Sequence, residues 1–110
     1  MRNNLPKFSK RLDAIIQNHL QDENFSVKIL AKELLMSYTH TYRKTRAETG
    51  LSPSEYIRNK RLEKACEYLA ETELNIGQIS FRVGFTTQAY FTKCFSKVYG
   101  CVPSQYRKQL

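Results

Sequence analysis

The chain repeats itself, and the repeat restricts its architecture more than any other feature. Gly50-Leu51-Ser52-Pro53-Ser54-Glu55-Tyr56 returns fifty residues later as Gly100-Cys101-Val102-Pro103-Ser104-Gln105-Tyr106. Upstream, Leu30-Ala31, Leu34-Leu35-Met36-Ser37 and residues 41–50 align with Ile79-Ser80, Val83-Gly84-Phe85-Thr86 and residues 91–100, with one residue of slippage. A stacked solenoid needs three or more repeats to bury a core, so two copies point to a pair of similar helical modules.

Local signals place about seven helices. Phe8, Leu12, Ile15, Ile16 and Leu20 recur at helical spacing. Ser26 supplies a side-chain oxygen to cap a short helix whose apolar stripe is Val27, Leu30, Ala31 and Leu34. Ser37 opens a third helix that Gly50 ends. Pro53 suits the first turn of a longer helix running to about Glu71, with Ile57, Leu62, Ala65, Cys66 and Leu69 on its buried side. Asn75 caps the next short helix, Thr86 or Thr87 the one after it, and Pro103 starts the last. Phe91, Cys94, Phe95 and Val98 form an apolar stripe ending at Gly100. No segment alternates as a strand does. The expected division is a leader over 1–7, subdomains over 8–52 and 73–110, and a connecting helix over 53–72.

Charge narrows the function. The net charge is +8, from 18 Lys and Arg against 10 Asp and Glu, which suits a polyanionic partner. No Asp or Glu occurs from Leu34 through Ala47, or after Glu73, which leaves Arg82, Lys93, Lys97, Arg107 and Lys108 unopposed in sequence. Both stretches fall in equivalent parts of the repeat. Cys66, Cys94 and Cys101 form neither an even disulfide set nor a CxxC pair, and His19 and His40 stand far from them, so no metal or cofactor is expected. No long apolar run marks a membrane span or signal peptide, and the chain reads as cytoplasmic, without membrane contact. An enzyme is disfavoured, because no nucleophile, base and orienting group converge and no glycine-rich phosphate loop is present.

A short capped helix, a turn of three or four residues and a second capped helix occur twice, which is the helix-turn-helix arrangement. In that motif the second helix enters the major groove, which demands a small turn residue, an apolar lock between the helices, and an outward polar face free of acids. A bundle of two helical hairpins would also carry capped helices and short loops. A helical protein-interaction module with a degenerate first copy, and a sequence-blind nucleic-acid coat, are the other open readings.

Arg61-Leu62-x-x-Ala65, Ile79 with Val83-Gly84-Phe85, Tyr90-Phe91-x-Lys93-x-Phe95, Gly100-x-x-Pro103 and Tyr106-Arg107, in order and in register, resemble the AraC/XylS transcription regulators. Tyr42-Arg43-Lys44 with Thr49-Gly50-Leu51-Ser52-Pro53 is similar to the version at the C-terminal end of hybrid two-component sensor proteins of gut bacteria. The resemblance implies an all-α, homeodomain-like fold of two helix-turn-helix subdomains joined by a long helix. It implies double-stranded DNA as partner, an N-terminal sensor domain, and contact with RNA polymerase. Helices over 38–49 and 88–99 would be the recognition helices, reading major-groove segments about 34 Å apart.

Carried onto matching positions, Tyr38, Thr39, Tyr42 and Arg43 would contact bases in the first subdomain, and Gln88, Ala89 and Thr92 in the second. Arg43 can donate twice to a guanine edge, Gln88 can pair with adenine, and Ala89 or a threonine methyl can touch thymine. Ser37, Arg46, Thr86, Thr87 and Lys93 would hold phosphates, with helix N-terminal amides. Tyr38 and Tyr42 could instead be packing aromatics, and Arg58 and Arg61 are expected to pair with Glu or to cover apolar surface.

The departures from the family pattern cluster in the first copy. Leu35 stands where a turn glycine is common, and Thr41 and Thr45 occupy positions usually held by Leu, Ile or Phe. Each buried hydroxyl costs about 1 to 3 kcal/mol unless it bonds back to the preceding turn. Leu35 at positive φ adds roughly 1 kcal/mol. The first subdomain is therefore expected to be the less stable one, ordering fully on DNA.

Overall fold

The computed structural model describes residues 7–110, so the expected leader, apart from Lys7, lies outside the described residues. Seven helices follow in order: α1 (Phe8–His19), α2 (Val27–Leu34), α3 (Tyr38–Thr49), α4 (Pro53–Glu71), α5 (Ile76–Arg82), α6 (Gln88–Tyr99) and α7 (Pro103–Lys108). No strand occurs among the described residues. The chain forms two compact units, one ending within α4 at Arg58 and the other containing residues 20–24 and everything from Asn59 onward.

In the first unit, Phe8, Leu12 and Ile16 of α1 are buried, as are Leu30, Ala31 and Leu34 of α2 and Ile57 of α4. Ile15 is only half-buried, because the stripe that i, i+4 spacing draws is narrower than the run of apolar letters. Thr41 and Thr45, both fully buried, are the inward face of α3. The side-chain oxygen of Ser26 accepts from the Ile29 amide at 3.4 Å, satisfying one of the orphan donors at the start of α2. At its end, Arg11 Nη2 donates to the Leu34 carbonyl at 3.4 Å. His19 stacks on Phe25 with centroids 4.5 Å apart and pairs with Glu33. The Tyr56 hydroxyl donates to Asp13, so the first tyrosine of the repeated phrase packs back on its own unit.

The second unit has the richer core: Leu62, Ala65, Leu69, Ile79, Val83, Phe85, Phe91, Cys94 and Phe95. Phe91 and Phe95 are fully buried, and each such side chain contributes about 1.5 to 3 kcal/mol by leaving water. Edge-to-face contacts add direction to that burial, with centroids 5.2 Å apart for Phe85 and Phe91 and 5.4 Å for Phe95 and Tyr106. Burial, with the thiol of Cys66 as hydrogen-bond partner, raises the hydroxyl of Tyr99 well above its usual range, and the same thiol raises Tyr106. Val98 departs from the expected stripe: it is 49% exposed, because α6 closes its buried face with Phe91, Cys94 and Phe95 alone.

Two arginines serve the backbone rather than the surface. Arg107 donates to the carbonyls of Leu69 at 3.1 Å, Leu74 at 2.6 Å and Thr72 at 3.2 Å, closing the C-terminal end of α4. This corrects its expected place in the unopposed basic field. Arg61 is buried and donates to the carbonyls of Gly84 and Asp22, where an acidic partner or simple apolar cover was expected.

Candidate nucleic-acid interface

Helices α2 and α3 form one helix-turn-helix, and α5 and α6 the other. The two turns share one hydrogen-bond scheme. In the first, the amide of Leu35 donates to the Lys32 carbonyl at 3.1 Å and that of Met36 to Ala31 at 3.0 Å. In the second, Gly84 donates to Phe81 at 3.1 Å and Phe85 to Ser80 at 3.0 Å. These are the bonds of a helix C-cap whose pivotal residue is left-handed. Gly84 has φ 89° and Leu35 has φ 59°, so leucine adopts the backbone that glycine takes in the other copy.

The same bonds locate the slippage in the repeat. Leu34 and Val83 close equivalent first helices, after which three residues precede α3 and four precede α6. Ser37 and Thr87 are the caps, accepting from the amides of His40 at 3.0 Å and Tyr90 at 3.1 Å. Thr86 is therefore the inserted residue, and Thr87 resolves the choice between the two cap candidates. Each recognition helix ends on a left-handed glycine at φ 79°, Gly50 or Gly100.

The caps fix which face of each helix looks outward. On α3, with Thr41 and Thr45 inward, Tyr38, Thr39, Tyr42, Arg43 and Arg46 are exposed together with Ser37. Tyr38 at 57% and Tyr42 at 42% exposure are not packing aromatics. On α6, with Phe91, Cys94 and Phe95 inward, Gln88, Ala89 and Lys93 are exposed, as are Thr86 and Thr87, while Thr92 is half-buried. All the expected contact residues thus lie at or beside an outward face, in two sets within their respective units.

Electrostatics favour an anion on both faces. α6 contains no acid. The single acid of α3, Glu48, is held by Lys44 at 3.0 Å. Arg46 approaches Glu55 at 4.0 Å, an exposed pair that contributes little. Ser37 and Thr87 use their side-chain oxygens as acceptors for capping, which leaves each hydroxyl proton free to donate outward.

Two exposed side chains on these helices stand outside the expected contact set. Tyr90 is 47% exposed and rests against Phe85 with centroids 5.9 Å apart. Its counterpart His40 is also exposed. An aromatic flanked by Phe91 reads as core by composition; the signal lay in the repeat, where the matching residue is the polar His40. Among the described residues no group of three or more His, Cys, Asp or Glu gathers to hold a metal, and no helix is long and apolar enough to cross a membrane.

Residues 30–109 match the helix-turn-helix domain family. The solved C-terminal domain of AraT, a response regulator from Geobacillus stearothermophilus, is similar at 34% identity with a TM-score of 0.86, covering 98% of this chain and 89% of that one. The DNA-binding domain of AdpA, solved in complex with a target DNA, is similar at 25% identity and TM-score 0.84, covering 91% of this chain and 89% of that one. This chain belongs to the AraC-type helix-turn-helix family. Histidine kinase P4 of Formosa agariphila is 37% identical over 100 residues, which are 91% of this chain and 7% of that protein. The chain spans well under half the length of the curated relatives it matches.

Proposed function

We propose that this chain is the DNA-binding part of a transcription regulator, reading duplex DNA with α3 and α6 in adjacent major-groove segments. The observation that carries the reading is the twofold occurrence of one capped helix-turn-helix, each with an exposed second helix poor in acids. Residues 8–52 and 73–110 act as the two readers, and 53–72 connects them.

Arg43 offers guanine a forked pair of donors, and Gln88 offers its carboxamide to a purine edge. Tyr38, Thr39, Tyr42, Ala89 and Thr92 complete the base-facing sets, with Ala89 and the threonine methyls suited to thymine. Ser37, Arg46, Thr86, Thr87 and Lys93 hold phosphates and so fix register. Among the similar proteins are a histidine kinase and a response regulator, which supports an output domain joined to a signalling region; that this domain is itself non-enzymatic and acts on RNA polymerase is part of the same proposal.

Selection of bound sequences from random duplexes tests this. The expected consensus has two blocks centred about 10 base pairs apart. Binding should weaken steeply with salt, and Arg43→Ala and Gln88→Ala should each relax one block. A single block would assign base reading to one unit only. Equal affinity for all duplexes, or no binding, would overturn the proposal in favour of a coat or a protein-interaction module.

A further inference from the structure

Gln88, the first residue of α6, does not simply project from its helix. Its carboxamide is folded back onto α5: a Cβ placed on Gly77 would stand 3.0 Å from Gln88 Oε1, 3.9 Å from its Cδ and 3.4 Å from Asn75 Oδ1. Gly77 lies in the first turn of α5 and is not among the left-handed glycines. Its backbone would accept any L-residue, and glycine is the poorest ordinary helix former. What glycine supplies at this place is the room that the Gln88 carbonyl occupies.

Resting on the reading of DNA by α6 proposed above, we infer that Gly77 is a positioning residue that sets the base preference of Gln88 without touching DNA. With its oxygen turned onto α5, the carboxamide presents its amino group outward. Adenine is distinguished from guanine when glutamine both donates to N7 and accepts from the 6-amino group. A glutamine that offers only a donor finds an acceptor at N7 of either purine. The chain as it stands therefore reads a purine at this base pair. A Cβ at residue 77 crowds Oε1, which must give way by a few tenths of an ångström; turning the carboxamide off α5 relieves the contact, frees the acceptor edge and moves the position towards adenine.

The test uses the purified chain and its selected consensus duplex, with the four bases placed in turn at the position whose preference Gln88→Ala abolishes. The unaltered chain should bind the adenine and guanine duplexes within about threefold of each other. Gly77→Ala should favour adenine over guanine by about fivefold or more, with preferences at all other positions unchanged. The Gly77→Ala/Gln88→Ala double variant should match Gln88→Ala. Thermal unfolding of Gly77→Ala should show at least the original stability, since alanine favours the helix, and Gly77→Ser should shift the preference in the same direction.

Three results would overturn the inference: strong adenine selection by the unaltered chain, an unchanged profile in Gly77→Ala, or a Gly77→Ala effect that persists without Gln88. Each can occur beside an intact two-block consensus, so none touches the proposed function. Absence of any consensus for the unaltered chain would remove that function and this inference with it.

Discussion

Arg61 donates through Nη1 to the carbonyl of Gly84 at 2.7 Å and through Nη2 to that of Asp22 at 2.8 Å. Burial depresses the guanidinium pKa, with the nearby Asp22 charge opposing the shift, and Nε has no partner. The site keeps a desolvated cation because two backbone oxygens in the same unit need its donors. Gly84 is the close-approach residue: a Cβ there would stand 2.4 Å from the Leu20 carbonyl and 2.8 Å from Arg61 Cζ, at φ 89°. Gly84→Ala is expected to cost about 2 to 5 kcal/mol, from left-handed strain plus overpacking. Arg61→Lys, unable to fork between the two carbonyls, is expected to cost about 1 to 3 kcal/mol. Urea unfolding followed by circular dichroism measures both; values near zero would show that the carbonyls find other donors.

Thr41 and Thr45 test the cost of a buried hydroxyl side by side. Both are fully buried on α3, but Thr41 Oγ1 donates to the Ser37 carbonyl at 2.9 Å, whereas Thr45 Oγ1 has no partner. Thr45→Val keeps the shape and removes the orphan, so it should stabilise the chain by about 1 to 2 kcal/mol. Thr41→Val exchanges a hydrogen bond for a methyl and should change stability by less than about 0.5 kcal/mol. Chemical denaturation of the two variants gives the comparison; equal effects would mean that the back-bond of Thr41 contributes nothing.

The caps Ser26, Ser37 and Asn75 and the stops Gly50 and Gly100 were legible in the sequence because each acts on amides or carbonyls within four residues of itself, which left only Thr86 or Thr87 open at the start of α6. Leu35 was legible as a strained turn because the repeat pairs it with Gly84. The roles of Arg61 and Arg107 were not. Their acceptors are backbone carbonyls 23 to 39 residues away, and a carbonyl carries no residue-type signature. Gln88 was legible as a candidate contact residue opening α6, but its approach to Gly77 was not, since that depends on where α5 lies against α6. Val98 was misread because four apolar letters at helical spacing do not say how wide the buried face is.

Glu55 gives the fold a pH dependence with a defined sign. Its Oε1 accepts from the Ser52 amide at 2.9 Å while the Ser52 hydroxyl oxygen accepts from the Glu55 amide at 3.3 Å, a reciprocal cap on α4. The Ser52 amide and then its hydroxyl hold the carboxyl below its usual range; burial opposes them, and the charges of Arg46 and Arg58 add smaller lowering effects. A carboxyl with a lowered folded-state pKa stabilises fully above the usual carboxylate range and loses that contribution as pH falls through the folded value. Glutamine can make the same cap without titrating. Between about pH 5 and pH 3 the stability of the unaltered chain should therefore fall more steeply than that of Glu55→Gln. Parallel curves from denaturation across that window would show that the cap does not depend on the charge. The second copy has no such device, for Val102, which precedes α7, makes no side-chain cap bond.

The two recognition helices should differ in how readily they open. α6 is anchored by Phe91 and Phe95, both fully buried in an aromatic cluster, whereas α3 is anchored by two threonines, one of them unsatisfied. Leu35 adds a left-handed residue whose side chain is 91% exposed and so gains no burial in return. Leu35→Gly keeps the turn's bonds and removes the steric cost, offset in part by the flexibility of glycine in the unfolded chain, for a net gain of about 0.5 to 1 kcal/mol. Amide exchange should accordingly be faster along Tyr42–Thr49 than along Thr92–Tyr99. The Leu35→Gly/Thr45→Val double variant should narrow the gap by slowing α3 alone, because local opening is set by the contacts each segment loses. Saturating DNA should narrow it too, if α3 orders fully on the duplex. Protection of α3 equal to that of α6 in the unaltered, unbound chain would mean that its polar inward face costs the unit nothing.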